Sequence, residues 1–223
     1  MKNRKVSILM LTYNAPLYVL RSIISVRKKT EGVDFELIVV DNNSKKFTKK
    51  ILQKLVNKGK YIDKIYFNLQ NDYFAGGNNL ASKMARSQSD YFLLLNSDIK
   101  IRSKRWLSDL LDIHPACGGI SSYGAVLAEP RRADGYCLLI NSELYKKYKL
   151  DEEFQWWWSV TKLQSMVLKE NKRIVSVVHH ENKLHHYGGK SGKGYRDAKG
   201  MNIDIEEVKK WFSMGKVEFI DYI

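Results

Sequence analysis

Three short polar clusters carry most of the chemistry legible in this 223-residue sequence. Thr12-Tyr13-Asn14, Asp41-Asn42-Asn43-Ser44 and Asn96-Ser97-Asp98 each follow directly on an apolar run. Hydroxyl, amide and carboxylate groups so placed can hydrogen-bond a polar ligand from several sides, although any one cluster has the composition of an ordinary turn. Occurring together, with Gly76-Gly77 beside them, they point to one site. Four of the five histidines form a second group, His179, His180, His185 and His186. His180-Glu181 opens like the zinc-binding pattern H-E-x-x-H, but position 184 is Leu. The imidazole pair one helical turn apart is therefore missing, which argues against a zinc hydrolase. Gly189-Lys190-Ser191 ends like a phosphate-binding loop, yet that motif also needs a glycine at 184. Lys190, Lys193 and Arg196 could still fold over an anionic ligand as a lid; a solvated linker fits equally well.

These clusters need a frame. Residues 6–11, 35–40, 61–67 and 91–95 read as strands, with helices at about 16–29, 47–57 and 78–86, the last opened by Gly76-Gly77. Pro16 suits a first helical turn and Gly59 a helix stop. Near-continuous apolar strands alternating with helices imply an α/β fold whose mostly parallel central sheet carries helices on both faces. In such sheets ligands bind at the carboxyl ends of the strands, which is where all three clusters fall. The later half reads as strands at 120–127, 136–140 and 174–178, a short helix from Ser142 to residue 148, and helices at 159–169 and 203–214. The glycine-rich stretch 188–200 reads as a loop. No internal repeat or linker is evident, so residues 1–223 are expected to form one domain, with a ligand-binding half at about 1–105 and a second-substrate half at about 106–223.

Two distant cysteines exclude a disulfide framework and a four-cysteine zinc site, and fit a reducing, cytoplasmic compartment. No apolar run approaches the roughly 18 residues of a membrane-spanning helix, and Thr12 interrupts the first apolar run before a signal-peptide core is complete. Lys and Arg number 38 against 24 Asp and Glu, a net charge of +14. That excess implies an anionic partner, whether nucleic acid, a phosphorylated small molecule or an acidic lipid surface; scattered lysines are also what a solvated surface looks like.

The ordered segments V-S-I-L-M-L-T-Y-N, L-I-V-V-D-N-N-S, F-A-G-G-N-N-L-A and Y-F-L-L-L-N-S-D resemble the nucleotide-sugar half of family 2 glycosyltransferases of the GT-A fold, closest to the bacterial rhamnosyltransferase-like branch. The likeness is close over residues 5–105 and looser through A-D-G-Y-C-L-L-I-N and L-D-E-E-F to H-H-Y-G-G-K-S. It implies transfer of a sugar from a UDP- or dTDP-sugar to a hydroxyl of a glycan or glycolipid acceptor. Thr12, Asn14, Asp41, Asn79 and Asn96 would line the nucleotide pocket, with Gly76 and Gly77 letting the backbone approach closely. Asp98 would hold Mg²⁺ or Mn²⁺, joined by His186, with His185 as the second choice. A divalent ion stabilises the departing diphosphate, and Mg²⁺ usually takes only one or two protein carboxylates beside phosphates and water.

One departure stands out. The family's general base lies in an acidic pair a few residues after L-D-E-x-F; here the matching residues are Ser159 and Val160, and Lys162 stands where another acid is frequent. Valine cannot accept a proton, and serine has no useful basicity near neutral pH without a partner. Asp134, or else Asp151, Glu152 or Glu153, is the substitute; a retaining mechanism or a catalytically impaired nucleotide-sugar binder are the alternatives. Trp156 and Trp157 read either as an acceptor groove that stacks on sugar rings or as core. Trp211 and Phe212 beside Lys209 and Lys210 suit contact with lipid headgroups or a docked helix. A basic nucleic-acid binder leaves the three strand-end clusters unexplained.

Overall fold

The computed structural model describes residues 4–190, 198–212 and 215–221. Its first part alternates strand and helix: β1 (Lys5–Thr12), α1 (Pro16–Lys29), β2 (Asp34–Asp41), α2 (Lys46–Asn57), β3 (Lys64–Phe67), α3 (Tyr73–Lys83) and β4 (Tyr91–Asn96). There follow β5 (Ile99–Ile101), α4 (Trp106–Asp112), β6 (Gly119–Tyr123), β7 (Ala125–Val126), β8 (Arg132–Ala133), β9 (Cys137–Asn141) and α5 (Ser142–Tyr148). The chain ends with α6 (Trp156–Lys169), β10 (Arg173–Val177), β11 (Leu184–His186), α7 (Ile205–Trp211) and β12 (Glu218–Ile220).

Eight strands make the central sheet, in the order β12-β10-β6-β9-β4-β1-β2-β3. All run the same way except β9, which lies antiparallel between β4 and β6. Side-chain alternation along each strand divides the core into two layers. Ile8, Met10, Val39 and Leu93 face α1, α2 and α4 through Val19, Ile23, Leu52 and Trp106. Leu9, Ile38, Phe92 and Leu138 face α3, α5 and α6 through Ala75, Tyr145, Val160 and Val167. Burial on both faces explains why these strands read as continuous apolar runs.

Several elements differ from the sequence expectation. Helix α3 begins at Tyr73, so Gly76 and Gly77 lie inside it rather than opening it. A Cβ at Gly77 would come within 2.2 Å of Leu11 Cδ1; the glycine is there to let α3 press on the sheet. Strand β3 starts at Lys64, not 61. The run expected at 120–127 breaks at Gly124, whose φ of 97° is left-handed. Ser142 does not cap α5: it is the first helical residue, and its hydroxyl donates to Ser89 O at 2.6 Å. Helix α6 takes in the tryptophan triplet. Among the described residues no helix is long and apolar enough to cross a membrane.

Candidate active site

Strand order reverses at β1: the chain passes from β1 to β2 on one side and β4 pairs on the other. In open α/β sheets ligands bind at the carboxyl ends of the strands beside such a switch point, and two polar groupings lie there. The first stitches β1 to β2. Thr12 Oγ1 donates to Asp41 Oδ1 at 3.1 Å, and Ser44 N to Asp41 Oδ2 at 3.0 Å. The Asn14 amide N–H donates to Ser44 Oγ at 2.7 Å, and Lys45 N to Asn14 Oδ1 at 2.9 Å. Asn14 and Asn43 take left-handed backbone conformations, φ 55° and 58°, which asparagine tolerates better than most residues. Asp41 is 0% exposed, so it fixes this shelf from beneath while Asn14 forms its half-buried wall. Asn42 Nδ2 donates to Tyr73 O at 2.8 Å and ties the start of α3 to the same shelf.

The second grouping gathers Asn96, Asp98 and His186. Asn96 ends β4, and Asp98 lies between β4 and β5. Strand β11 pairs antiparallel with β5, His186 opposite Ile99, and Tyr187 N donates to Asp98 O at 2.9 Å. This pairing carries His186 across nearly ninety residues of sequence to Asp98: Nε2 lies 3.1 Å from Asp98 Oδ1 and 3.3 Å from Asn96 Nδ2. His185, next along the strand, makes an edge contact with Tyr187 instead, at 4.6 Å between centroids. Lys190 N approaches Asp98 Oδ2 at 3.4 Å, and its ammonium stands 5.5 Å over the Tyr18 ring. Lys193 and Arg196 lie outside the described residues.

Sequence reasoning missed the support beneath this cluster. The Tyr136 ring lies flat against His186, 4.2 Å between centroids and 22° between planes. Its hydroxyl meets His180 Nε2, and His180 Nδ1 faces Val178 O at 3.1 Å. A carbonyl only accepts, so Nδ1 carries a proton, and in that tautomer the tyrosine O–H donates to Nε2. Burial pushes the Tyr136 hydroxyl far above its usual range, so it stays protonated. Nothing local in the sequence links residue 136 to 180 and 186. The one available signal was an aromatic at the head of an apolar strand.

Other expected site residues do different work. Asn79 spends its amide on the protein: Nδ2 donates to Leu150 O at 2.8 Å and Glu152 Oε1 at 2.9 Å, while Oδ1 accepts from Tyr145 Oη at 2.9 Å and Leu150 N at 3.1 Å. It clamps α3 to the 150–152 segment. Gly76 faces Asp72 and Glu152, and Gly77 faces Leu11 and Asn42, so their close approach is to protein. Asp151 pairs with Lys162, whose ammonium lies 4.5 Å from the Phe154 ring and 5.8 Å from that of Trp211. Burial works to raise the Asp151 carboxyl, but hydrogen bonds from Lys162 and Glu153 N outweigh it and leave the group below its ordinary value. A carboxyl so lowered is a poor base. Trp156 packs on Tyr73, 5.6 Å between centroids, and Trp157 is 41% exposed at the start of α6. Trp211 meets Phe154 edge-on at 5.2 Å, so α7 is docked on the body of the protein.

The donor set can be tested against a divalent cation. One carboxylate and one imidazole, with Asn96 turning Nδ2 toward the imidazole, suit Mg²⁺ or Mn²⁺ only if phosphates and water complete the shell. Among the described residues no three His, Cys, Asp or Glu side chains converge on one point, and the fit is therefore to a cation that arrives with a diphosphate. Two clefts lie elsewhere: one of about 350 Å³ beside Asn79, Asp151 and Lys162, and one of about 400 Å³ by Arg4 and Asp90. Neither is lined by Asp98, and the first is walled by the Asp151–Lys162 pair; the strand ends are the chemically equipped surface.

Residues 7–170 match the sequence profile of Glycosyl transferase family 2. Similar solved structures include TarS from S. aureus in complex with UDP (TM-score 0.56, 22% identity, covering 72% of this chain and 55% of that one). Another is the mannosyltransferase PcManGT from Pyrobaculum calidifontis in complex with GDP-Man and Mn²⁺ (TM-score 0.63, 14% identity, 78% of this chain and 54% of that one). A third is GalNAc-T7 with UDP, GalNAc and Mn²⁺ (TM-score 0.64, 11% identity, 78% and 42%). This chain spans about half the length of these structures. Among curated proteins, none matches the sequence.

Proposed function

The chain belongs to glycosyl transferase family 2, and from that premise we propose that it moves a sugar from a nucleoside diphosphate donor to a hydroxyl of a glycan or glycolipid, with Mg²⁺ or Mn²⁺ at Asp98 and His186. The observation that carries this reading is the meeting of Asn96, Asp98 and His186 beside the Thr12–Asp41 and Asn14–Ser44 shelf. Asn14 borders the nucleoside of the UDP- or dTDP-sugar, a rhamnosyl donor among the candidates; Thr12 and Asp41, both 0% exposed, act from below by holding the loop. Lys190 adds positive charge on the phosphate side. When bound, the cation neutralises charge building on the leaving diphosphate. Residues up to about 105 take the donor and the rest take the acceptor, within one domain. The similar structures that hold UDP, UDP-GlcNAc and GDP-Man support a sugar-nucleotide ligand. The protein works in the cytoplasm, where an acceptor on a lipid carrier would bring it to the inner face of a membrane.

A thermal-shift panel of UDP, dTDP and GDP, with and without Mn²⁺, tests this. Stabilisation by one of them that grows with Mn²⁺ and is lost in Asp98→Ala is the expected result. No stabilisation by any nucleotide, or an equal Mn²⁺ effect in Asp98→Ala, refutes it. A second reading, a nucleotide-sugar binder without turnover, is favoured by one observation: Ser159 and Val160 are buried, Ser159 donating to Trp156 O at 2.8 Å. Donor consumption separates the two.

A further inference from the structure

Transfer to a hydroxyl with inversion needs a base beside the sugar, and the carboxylates near the strand ends are few. Asp41 is enclosed and Asp98 faces His186. Asp72 accepts from Asn68 and Gln70, Asp151 is held by Lys162, Glu152 by Asn79, and Glu153 by Lys199. Glu129 sits out on the exposed tip of the β7–β8 hairpin. Asp134 differs from all of these. It is half-buried, its Oδ1 accepts only the N–H of the next residue, Gly135, at 2.7 Å, and among the described residues nothing bonds Oδ2. Two residues on, Tyr136 O accepts from Asn96 N at 2.8 Å, and the Tyr136 ring supports His186. Asp134 therefore lies two residues along the chain from the tyrosine that holds both Asn96 and His186.

Its backbone is unusually well held. Asp134 N donates to Gly124 O at 2.8 Å. Gln164, fully buried on α6, grips the preceding residue with both ends of its amide: Ala133 N donates to Oε1 at 2.9 Å, and Nε2 donates to Ala133 O at 3.0 Å. On the other side Val160 closes on Gly135, where a Cβ would lie 2.8 Å from Val160 Cγ2. Helix α6 thus brings no acid to this wall. It brings an apolar residue and an amide that fix the strand carrying one. Rigid support of this kind is what a positioned catalytic group requires.

We propose that Asp134 is the general base of the transfer, an inference that rests on the transferase reading. Its carboxylate takes the proton of the attacking hydroxyl as the oxygen–anomeric carbon bond forms. The anomeric carbon–phosphate oxygen bond breaks with its electron pair leaving on the diphosphate, and Asp134 then releases the proton to water. Asp134→Asn keeps shape and the Gly135 bond but cannot take the proton. Water serves as the probe nucleophile, with Mn²⁺ and UDP-GlcNAc, UDP-glucose, dTDP-rhamnose and GDP-mannose as donors. UDP binding by calorimetry is measured alongside. UDP affinity within twofold of wild type, with nucleotide release slowed about 100-fold or more, and recovery of Asp134→Ala by added formate support the proposal. Release within threefold of wild type overturns it, as does lost UDP binding in Asp134→Asn, or a wild type that binds UDP and consumes no donor. A wild type that binds no nucleotide refutes the transferase reading itself.

Discussion

At the scale of single residues, the site depends on side chains whose partners are far away in sequence. His186 can present Nε2 to Asp98 only if its ring is held in plane, and Tyr136 is the surface it lies on. Tyr136→Leu is expected to weaken the Mn²⁺-dependent part of nucleotide affinity several-fold and leave the Mn²⁺-independent part alone. Tyr136→Phe keeps the stack and should keep the affinity, at a stability cost of about 0.5–1.5 kcal/mol for the lost hydroxyl bond. Calorimetric titrations with and without the ion separate the two; equal losses in both variants would remove Tyr136 from the positioning role. What the sequence offers is candidates: Asn96 and Asp98 follow on the apolar run 91–95, and His186 comes shortly before the glycine pair 188–189. Tyr136 is not among them, because stacking across fifty residues of chain leaves no local pattern.

At the scale of elements, apolar periodicity marked β1, β2, β4, α1 and α2 within a residue or two, since burial on both faces of a parallel sheet leaves little room for polar residues. It failed at α3. The glycine pair reads as a helix start, yet these residues lie inside the helix, Gly77 because α3 needs a side-chain-free spot against Leu11 and Asn42, and Gly76 against Asp72 and Glu152. Strands β5 and β11 escaped notice because three residues are too short for a period, although they bring His186 home. Gly77→Ala should destabilise by about 1–3 kcal/mol, the range for overpacking a tight contact, as read from urea midpoints. A cost near zero would mean that α3 can slide. Asn79→Ala tests whether that residue serves ligand or frame. It strands the buried Tyr145 hydroxyl, and a loss of about 1–3 kcal/mol is expected, with UDP affinity of the folded protein unchanged. A large affinity loss at unchanged stability would return Asn79 to the nucleotide pocket.

For the whole molecule, the excess of 14 positive charges is spread over the sequence, and the acids that matter most are those tied into the frame. Glu36 is the clearest case. It sits on β2, accepts from Ser7 Oγ on β1 and from Arg86 N past α3, and pairs at 3.0 Å with Lys64 on β3. One carboxylate therefore joins three strands to the end of a helix. Burial alone would raise its pKa, but the Arg86 N–H, the Ser7 hydroxyl and Lys64 together bring it below the ordinary glutamate value. Lowered in the folded state, the group binds protons less readily there than in the unfolded chain, so stability rises with pH through this window. Its contribution is complete above the unfolded glutamate pKa of about 4.3 and is lost as the pH falls through the folded value. Glu36→Gln should then be less stable than wild type at pH 7, and the gap in urea midpoints should close as the pH approaches 3. A gap that stays constant from pH 7 to 3 would mean that the carboxylate's charge contributes nothing, leaving only its shape and hydrogen-bonding pattern to join the strands.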